Sequence, residues 1–178
     1  MPLLDLLHIS LADQCLYGFA DGRLCLRLPV STAANGPGER EGSGCTPRGL
    51  HQVRARIGEG LPCGAVLRGR RWTGEVWTPA LHAAHPGRDW ILSRILWLSG
   101  CEPGRNRLGQ VDTFRRYIYI HGTPDCEPMG EPRSHGCVRM RNRDLIELFP
   151  RVPPHCAVRI DEAPCPQWAG APLLEENP

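Results

Sequence analysis

Short alternations of apolar and polar residues recur along the chain and predict strands more often than helices. Residues 3–30 include LLHISLADQCLYGFADGRLCLRLPV, two apolar runs joined at Ala20-Asp21-Gly22-Arg23, which predicts an N-terminal β-hairpin. STAANGPGEREGSGCTPRG follows as a long loop. LHQVRARIG alternates again, and LPCGAVLRGRRWTGEVWTP reads as a short strand or two with glycine breaks. RDWILSRILWLSG suits a strand or a short helix, and periodicity does not decide between them. CEPGRNRLGQVD is a loop.

The clearest strand is TFRRYIYIHG, in which Ile118 and Ile120 point to the core while Tyr117, Tyr119 and His121 share the opposite face. RNRDLIELFPRV predicts a helix. Asn142 is its expected N-cap, Asp144 lies in its first turn, Leu145, Leu148, Phe149 and Val152 form its apolar stripe, and Pro150 limits its length. HCAVRI is a last strand, and the Pro-rich tail over 163–178 is expected to be irregular. The expectation is one mainly β domain with one or two short helices over residues 1–178, its core spanning about 6–160.

Composition narrows the function. The chain has 178 residues, 41% of them hydrophobic, and a formal net charge of only +2 with no charged tail. A nucleic-acid footprint is not indicated, and no apolar run is long enough to span a bilayer. The N-terminal MPLLDLLHISLADQC has no basic region, Asp5 interrupts its apolar run, and no small-residue cleavage site follows. Nine cysteines, odd in number and without a C-x-x-C pair, fit small apolar fillers in a reducing compartment. Both observations lead to an expected cytoplasmic location.

Candidate chemistry concentrates in IHGTPDCEPMGEPRSHGCVRM, Ile120 to Met140. A thiolate nucleophile needs a base or cation, a rigid mount and N–H donors for the oxyanion formed on attack. Cys137 follows Gly136, which permits a tight turn. Arg139 and the N-terminal N–H groups of the following helix are placed to lower its pKa, and His121 is the candidate base. Tyr119, on the face of His121, is a candidate substrate contact. His121, His135 and Cys137 also suit a metal, but no fourth ligand stands at a motif spacing, so neither metal nor cofactor is expected. Trp72, Trp77, Trp90 and Trp97 fall in a segment, Arg71 to Gln110, that suits a lid, although each is as readily packing. His82 and His85 are expected in a solvated loop.

The pattern IHGT…SHGCVRM, with upstream PVST and TPRG, resembles the L,D-transpeptidase (YkuD-type) catalytic domain family of peptidoglycan enzymes, from about Leu6 to Ile160. The resemblance implies a β-sandwich-like fold, Cys137 as nucleophile and His121 as its base. It implies that the Gly122 carbonyl orients the imidazole, that Ser134, His135 and Gly136 shape the nucleophile loop and oxyanion hole, and that Arg139 binds a substrate carboxylate. It also implies a peptidoglycan stem peptide or muropeptide as partner. With the expected location, it suggests an L,D-carboxypeptidase that removes terminal D-Ala from stem tetrapeptides during peptidoglycan recycling. The alternatives are an L,D-transpeptidase that cross-links stems and a catalytically idle fragment binder.

Overall fold

The computed structural model describes residues 1–165. Ten strands form one mixed sheet: β1 (Leu6–Ser10), β2 (Cys15–Ala20), β3 (Arg23–Pro29), β4 (Gly49–Ile57), β5 (Ala65–Arg68), β6 (Arg71–Val76), β7 (Ile91–Gly100), β8 (Tyr119–Thr123), β9 (Val138–Arg141) and β10 (Ala157–Asp161). Two short helices, α1 (Pro79–Ala84) and α2 (Asn142–Leu148), accompany them. The mainly β architecture expected from the alternation is therefore the one observed. Its sheet runs β3-β2-β1-β10-β4-β7-β5-β6, with β8 on β7 and β9 on β8. β4 and β8 both pair with residues 95–97, so they occupy opposite edges of β7. The sheet curls until Arg139 of β9 meets Ser31, just past β3, with N–H···O bonds of 2.9 Å in both directions. Leu7, Ile9, Leu96, Ile120, Val138 and Met140 line the inside of the curl, and Leu145, Leu148, Phe149 and Val152 of the α2 region close it, the stripe expected from the sequence.

The N-terminal hairpin forms where ADGR places it. Asp21 and Gly22 both take positive φ (49° and 72°), the two-residue turn that matches strand twist. A second turn at 11–14 divides the region into three strands rather than two. The undecided stretch before Gly100 is β7. β4, β5 and β8 all pair with it, and tertiary pairing decides a conformation that local pattern leaves open. The lid expected over Arg71–Gln110 is corrected accordingly: residues 91–100 are sheet. Outside the sheet in that segment are residues 77–90, which include α1, and residues 101–110.

Three further expectations change. β8 begins at Tyr119, so Tyr117 is not on its face; Tyr117 sits in a turn at φ 56°. Asp112 makes that turn, its carboxylate accepting from the Arg115 N–H (3.0 Å) and its carbonyl from the Arg116 N–H (3.0 Å). Asn142 is the first helical residue of α2, not its N-cap, because its side chain is buried and bonded elsewhere. His82 lies in α1, capped by Thr78, and stacks on Trp90 with ring centroids 5.8 Å apart. Of the cysteines, Cys15, Cys156 and Cys165 are buried fillers, whereas Cys63, Cys101 and Cys126 are exposed. Ala163–Cys165 are irregular, and the rest of the tail lies outside the described residues. Among the described residues no helix is long and apolar enough to cross a membrane.

Candidate active site

β8 and β9 run parallel with His121 opposite Arg139 and Ile120 opposite Val138. The isoleucine and valine face the core. Period-two alternation therefore puts Tyr119, His121, Cys137 and Arg139 together on the outer face. The sequence predicted this face correctly for Tyr119 and His121. Cys137 lies beside Tyr119: its Sγ accepts from the Tyr119 N–H (3.3 Å) and its thiol donates to the Tyr117 carbonyl (3.4 Å).

The mount of Cys137 is built largely from the long loop after β3. Ser134 exchanges backbone bonds with Thr32 and Ala34 (2.8 and 2.9 Å), and Thr46 Oγ1 donates to the Gly136 carbonyl (2.9 Å). Ser134 is buried, and its hydroxyl donates to the Cys137 carbonyl at 2.5 Å. Gly136 has φ 132°, and a Cβ there would meet the Cys45 carbonyl at 3.2 Å, so only glycine turns the chain here without strain. Arg116 anchors the same loop from the other side, donating to the carbonyls of Gly38, Glu39 and Cys45 at 2.7–3.1 Å. The PVST and TPRG segments thus hold the thiol in place through Ser31, Thr32 and Thr46.

Of the two N–H groups expected to face an oxyanion, that of Gly136 is engaged by Ser134 Oγ (3.2 Å), while that of Cys137 has no partner among the described residues. His135 is exposed, between Ser134 and Gly136, which are both buried.

His121 is buried, with 1% of its surface exposed. Its Nδ1 lies 2.8 Å from the Gly122 carbonyl. A carbonyl only accepts, so Nδ1 carries the proton and Nε2 keeps its lone pair. Gly122 is required because a Cβ would meet Asn142 Oδ1 at 2.4 Å and the Leu92 carbonyl at 2.5 Å. Asn142 is the brace behind this turn. It donates to the Thr123 carbonyl (2.8 Å) and accepts from Ser93 Oγ (2.6 Å), which explains why it is not a cap.

Burial is the largest influence on both partners. It lowers the His121 pKa below the ordinary 6.5, against the opposing pull of the Gly122 carbonyl and Asp89. It pushes the Cys137 thiol up to about 11, outweighing the Tyr119 N–H and the charges of Arg139 and Arg116. The expected lowering of the thiol pKa is thereby corrected. α2 starts only after β9, too far along the chain for its first N–H groups to reach Sγ, and Arg139 is already engaged. Both shifts favour the uncharged forms, a thiol and an imidazole.

Arg139 donates to Asp89 Oδ1 (3.1 Å) and lies 3.9 Å from Glu127 Oε2. Its side chain is 11% exposed, that of Asp89 56%. Asp89 also lines a cavity of about 650 Å³ with Leu67, Arg68, His85 and Arg88, and Leu67 packs in the same cluster as Cys137. Sequence reading missed Asp89, Arg116 and Asn142. Asp89 and Asn142 carry no local signal, since their partners come from other strands.

The L,D-transpeptidase catalytic domain family (YkuD) matches residues 5–160. The probable L,D-transpeptidase YbiS of Escherichia coli K12 is 32% identical over 98 residues, which cover 53% of this chain and 31% of YbiS. The chain thus matches about a third of that relative's length. An L,D-transpeptidase from Mycobacterium smegmatis superposes with a TM-score of 0.55 at 14% identity, covering 88% of this chain and 58% of that one. An L,D-transpeptidase from Xylanimonas cellulosilytica gives 0.51 at 19%, covering 90% and 62%. These structures share the curled, mainly β fold. With the family match extending from before β1 into β10, this chain belongs to the L,D-transpeptidase catalytic domain family.

Proposed function

We propose that the protein is a cysteine-dependent acyl-transfer enzyme acting on peptidoglycan stem peptides, and that it works as an L,D-carboxypeptidase. The observation that carries this reading is the His121 tautomer: Nδ1 is held by the Gly122 carbonyl, so Nε2 is a base on the strand face that also bears Cys137. Cys137 Sγ attacks the carbonyl at the L-centre of the diamino acid while its proton passes to His121 Nε2. The Cys137 N–H stabilises the oxyanion. The imidazolium then protonates the nitrogen of D-Ala, the C–N bond breaks, and a thioester remains. Water, deprotonated by His121, attacks the thioester, and the tripeptide leaves as Cys137 regains its proton.

Hydrolysis rather than cross-linking is favoured by nine unpaired thiols, three of them exposed, which suit a reducing cytoplasm. There, soluble muropeptides rather than polymeric wall are the partners, as in recycling. The second reading, stem cross-linking, is favoured by the name of the E. coli relative, a probable L,D-transpeptidase. Incubation with purified tetrapeptide, alone and with excess amine acceptor, separates them by product mass. Tripeptide as the main product in both supports the carboxypeptidase. Cross-linked dimer as the main product supports the transpeptidase, and no release of D-Ala in either overturns both.

A further inference from the structure

The turn between β5 and β6 carries Arg70, at φ 64°. Its guanidinium lies over the Trp97 ring at 4.8 Å and the Tyr117 ring at 5.1 Å, and Nη1 donates to the Tyr119 hydroxyl at 3.4 Å. These tyrosines are the two residues whose backbone atoms contact the Cys137 sulfur. Arg70 therefore stands one side chain away from the candidate nucleophile, although it is remote in sequence. Arg139 is held by Asp89, whereas Arg70 makes no ion pair among the described residues. Stacking on two rings fixes a planar guanidinium in direction while leaving donors open to a ligand.

The register assigns Arg70 an end of the bound substrate. A leaving amine must approach His121 to receive its proton, so the leaving group lies toward the row of His121 and Arg139. Tyr119 and Tyr117 precede His121 in the chain, and Arg70 covers them at the other end of Cys137. A stem lying across Sγ thus has its leaving D-Ala toward Arg139 and its acyl portion toward Arg70. We propose that Arg70 is a specificity-determining residue that binds a carboxylate on the acyl side of the scissile carbonyl. In a peptidoglycan stem that group is the α-carboxyl of the γ-linked D-glutamate next to the diamino acid. It occurs free or as a carboxamide, and only the free form carries the charge that a guanidinium selects. The inference rests on the stem-peptide reading above.

The test uses two tetrapeptides that differ only at this α-carboxyl, one a carboxylate and one a carboxamide. The wild-type protein should favour the carboxylate by about tenfold in kcat/KM, mainly through KM, the scale of one charge-assisted hydrogen bond. Arg70→Gln should abolish the preference, lowering kcat/KM for the carboxylate by far more than for the carboxamide. Arg70→Lys should restore part of the preference, since the charge returns without the planar fork. A purely structural role for Arg70 would lower turnover of both peptides equally, and that result overturns the proposal. So does a wild-type protein that treats the two alike. Failure of the stem-peptide reading is distinguishable: the wild type then cleaves neither peptide, and the inference falls with it.

Discussion

The molecule contains two pairings of a cysteine with a histidine, one on β8 and β9 and the other beside β1 and β10. In one, Cys137 and His121 share the outer face of β8 and β9. In the other, Cys165 Sγ lies 3.1 Å from His8 Nδ1, and His8 Nε2 lies 3.3 Å from Asp161 Oδ2. By contact distances the second has the look of a thiol–imidazole–carboxylate relay. Its electrostatics do not set it apart either. Burial pushes Cys165 up to about 11, as it does Cys137, and lowers both histidines. What differs is access and commitment. Cys165 is 1% exposed, its N–H is tied to Asp13 (2.9 Å), and His8 is enclosed between Cys165 and Asp161, with a buried Nε2 that makes no hydrogen bond among the described residues. Asp161 is shared with Arg159 (2.6 Å). Cys137 is only partly buried, and His121 has one nitrogen fixed by a carbonyl and the other left as a base. A Cys–His contact with an enclosed sulfur fastens a chain; one that leaves a lone pair and an accessible sulfur can react.

The largest effect that would break this comparison comes from removing each sulfur. Cys137→Ala should lower turnover of the tetrapeptide by three orders of magnitude or more with an unchanged denaturation midpoint. Cys165→Ala should keep its turnover and lose about 1–3 kcal/mol of stability, because a buried imidazole loses its partner. An exchange of these two phenotypes in kinetic assays and urea melts would reverse the assignment. Next in size are the histidines. His121→Ala should cost about a hundredfold or more in rate, whereas His8→Ala should leave the rate intact. A His8→Ala enzyme as slow as His121→Ala would show that the two clusters work together.

The pH profile sharpens the comparison further. Activity needs His121 neutral, and its pKa is lowered, so the acid limb of kcat/KM should fall below the ordinary 6.5. Cys137 ionises only near 11, so the rate should stay level from neutral pH well into the alkaline range. Thiolate absorbance at 240 nm, compared between wild type and Cys137→Ala, checks this directly; a thiolate signal from Cys137 at pH 7 would mean an ion pair instead of a neutral pair. The smallest expected effect concerns Arg139. Asp89→Asn removes a carboxylate that competes with substrate, so KM should fall by roughly two- to fivefold, the range of a largely exposed ion pair. A raised KM would make Asp89 a substrate contact rather than a competitor.

Sequence reading reached the site where chemistry and local geometry coincide. The alternation of Tyr119, Ile120 and His121 assigned faces correctly, Asp21-Gly22 marked its own turn, and SHGC with an upstream HG pointed to the thiol and imidazole on which the proposed function rests. It stopped where the answer depended on distance in the fold. The thiol pKa was misjudged because the cost of burial and the engagement of Arg139 by Asp89 exist only once β9 and the α1–β7 loop meet. Tyr117 was placed on the strand because alternation continues through a turn that Asp112 imposes. Arg70 stood in a glycine-broken hairpin with nothing nearby to mark it.

The crossover between β8 and β9 has a consequence for how such a chain can diversify. Asp125 still accepts from Asn142 (3.4 Å), and anchorage resumes at Gly130, whose N–H reaches the Val30 carbonyl (2.9 Å), and at Glu131, whose carbonyl accepts from Ser31 (2.7 Å). Residues 126–129 between them carry Glu127, the second carboxylate near Arg139. Insertions or replacements in that short window can rewrite the cleft's charge while Ser31, Thr32 and Thr46 keep the nucleophile still. Diversity in this protein is therefore cheapest to introduce a few residues from its most constrained atom, and a loop-exchange library confined to 126–129 is the natural way to retarget it.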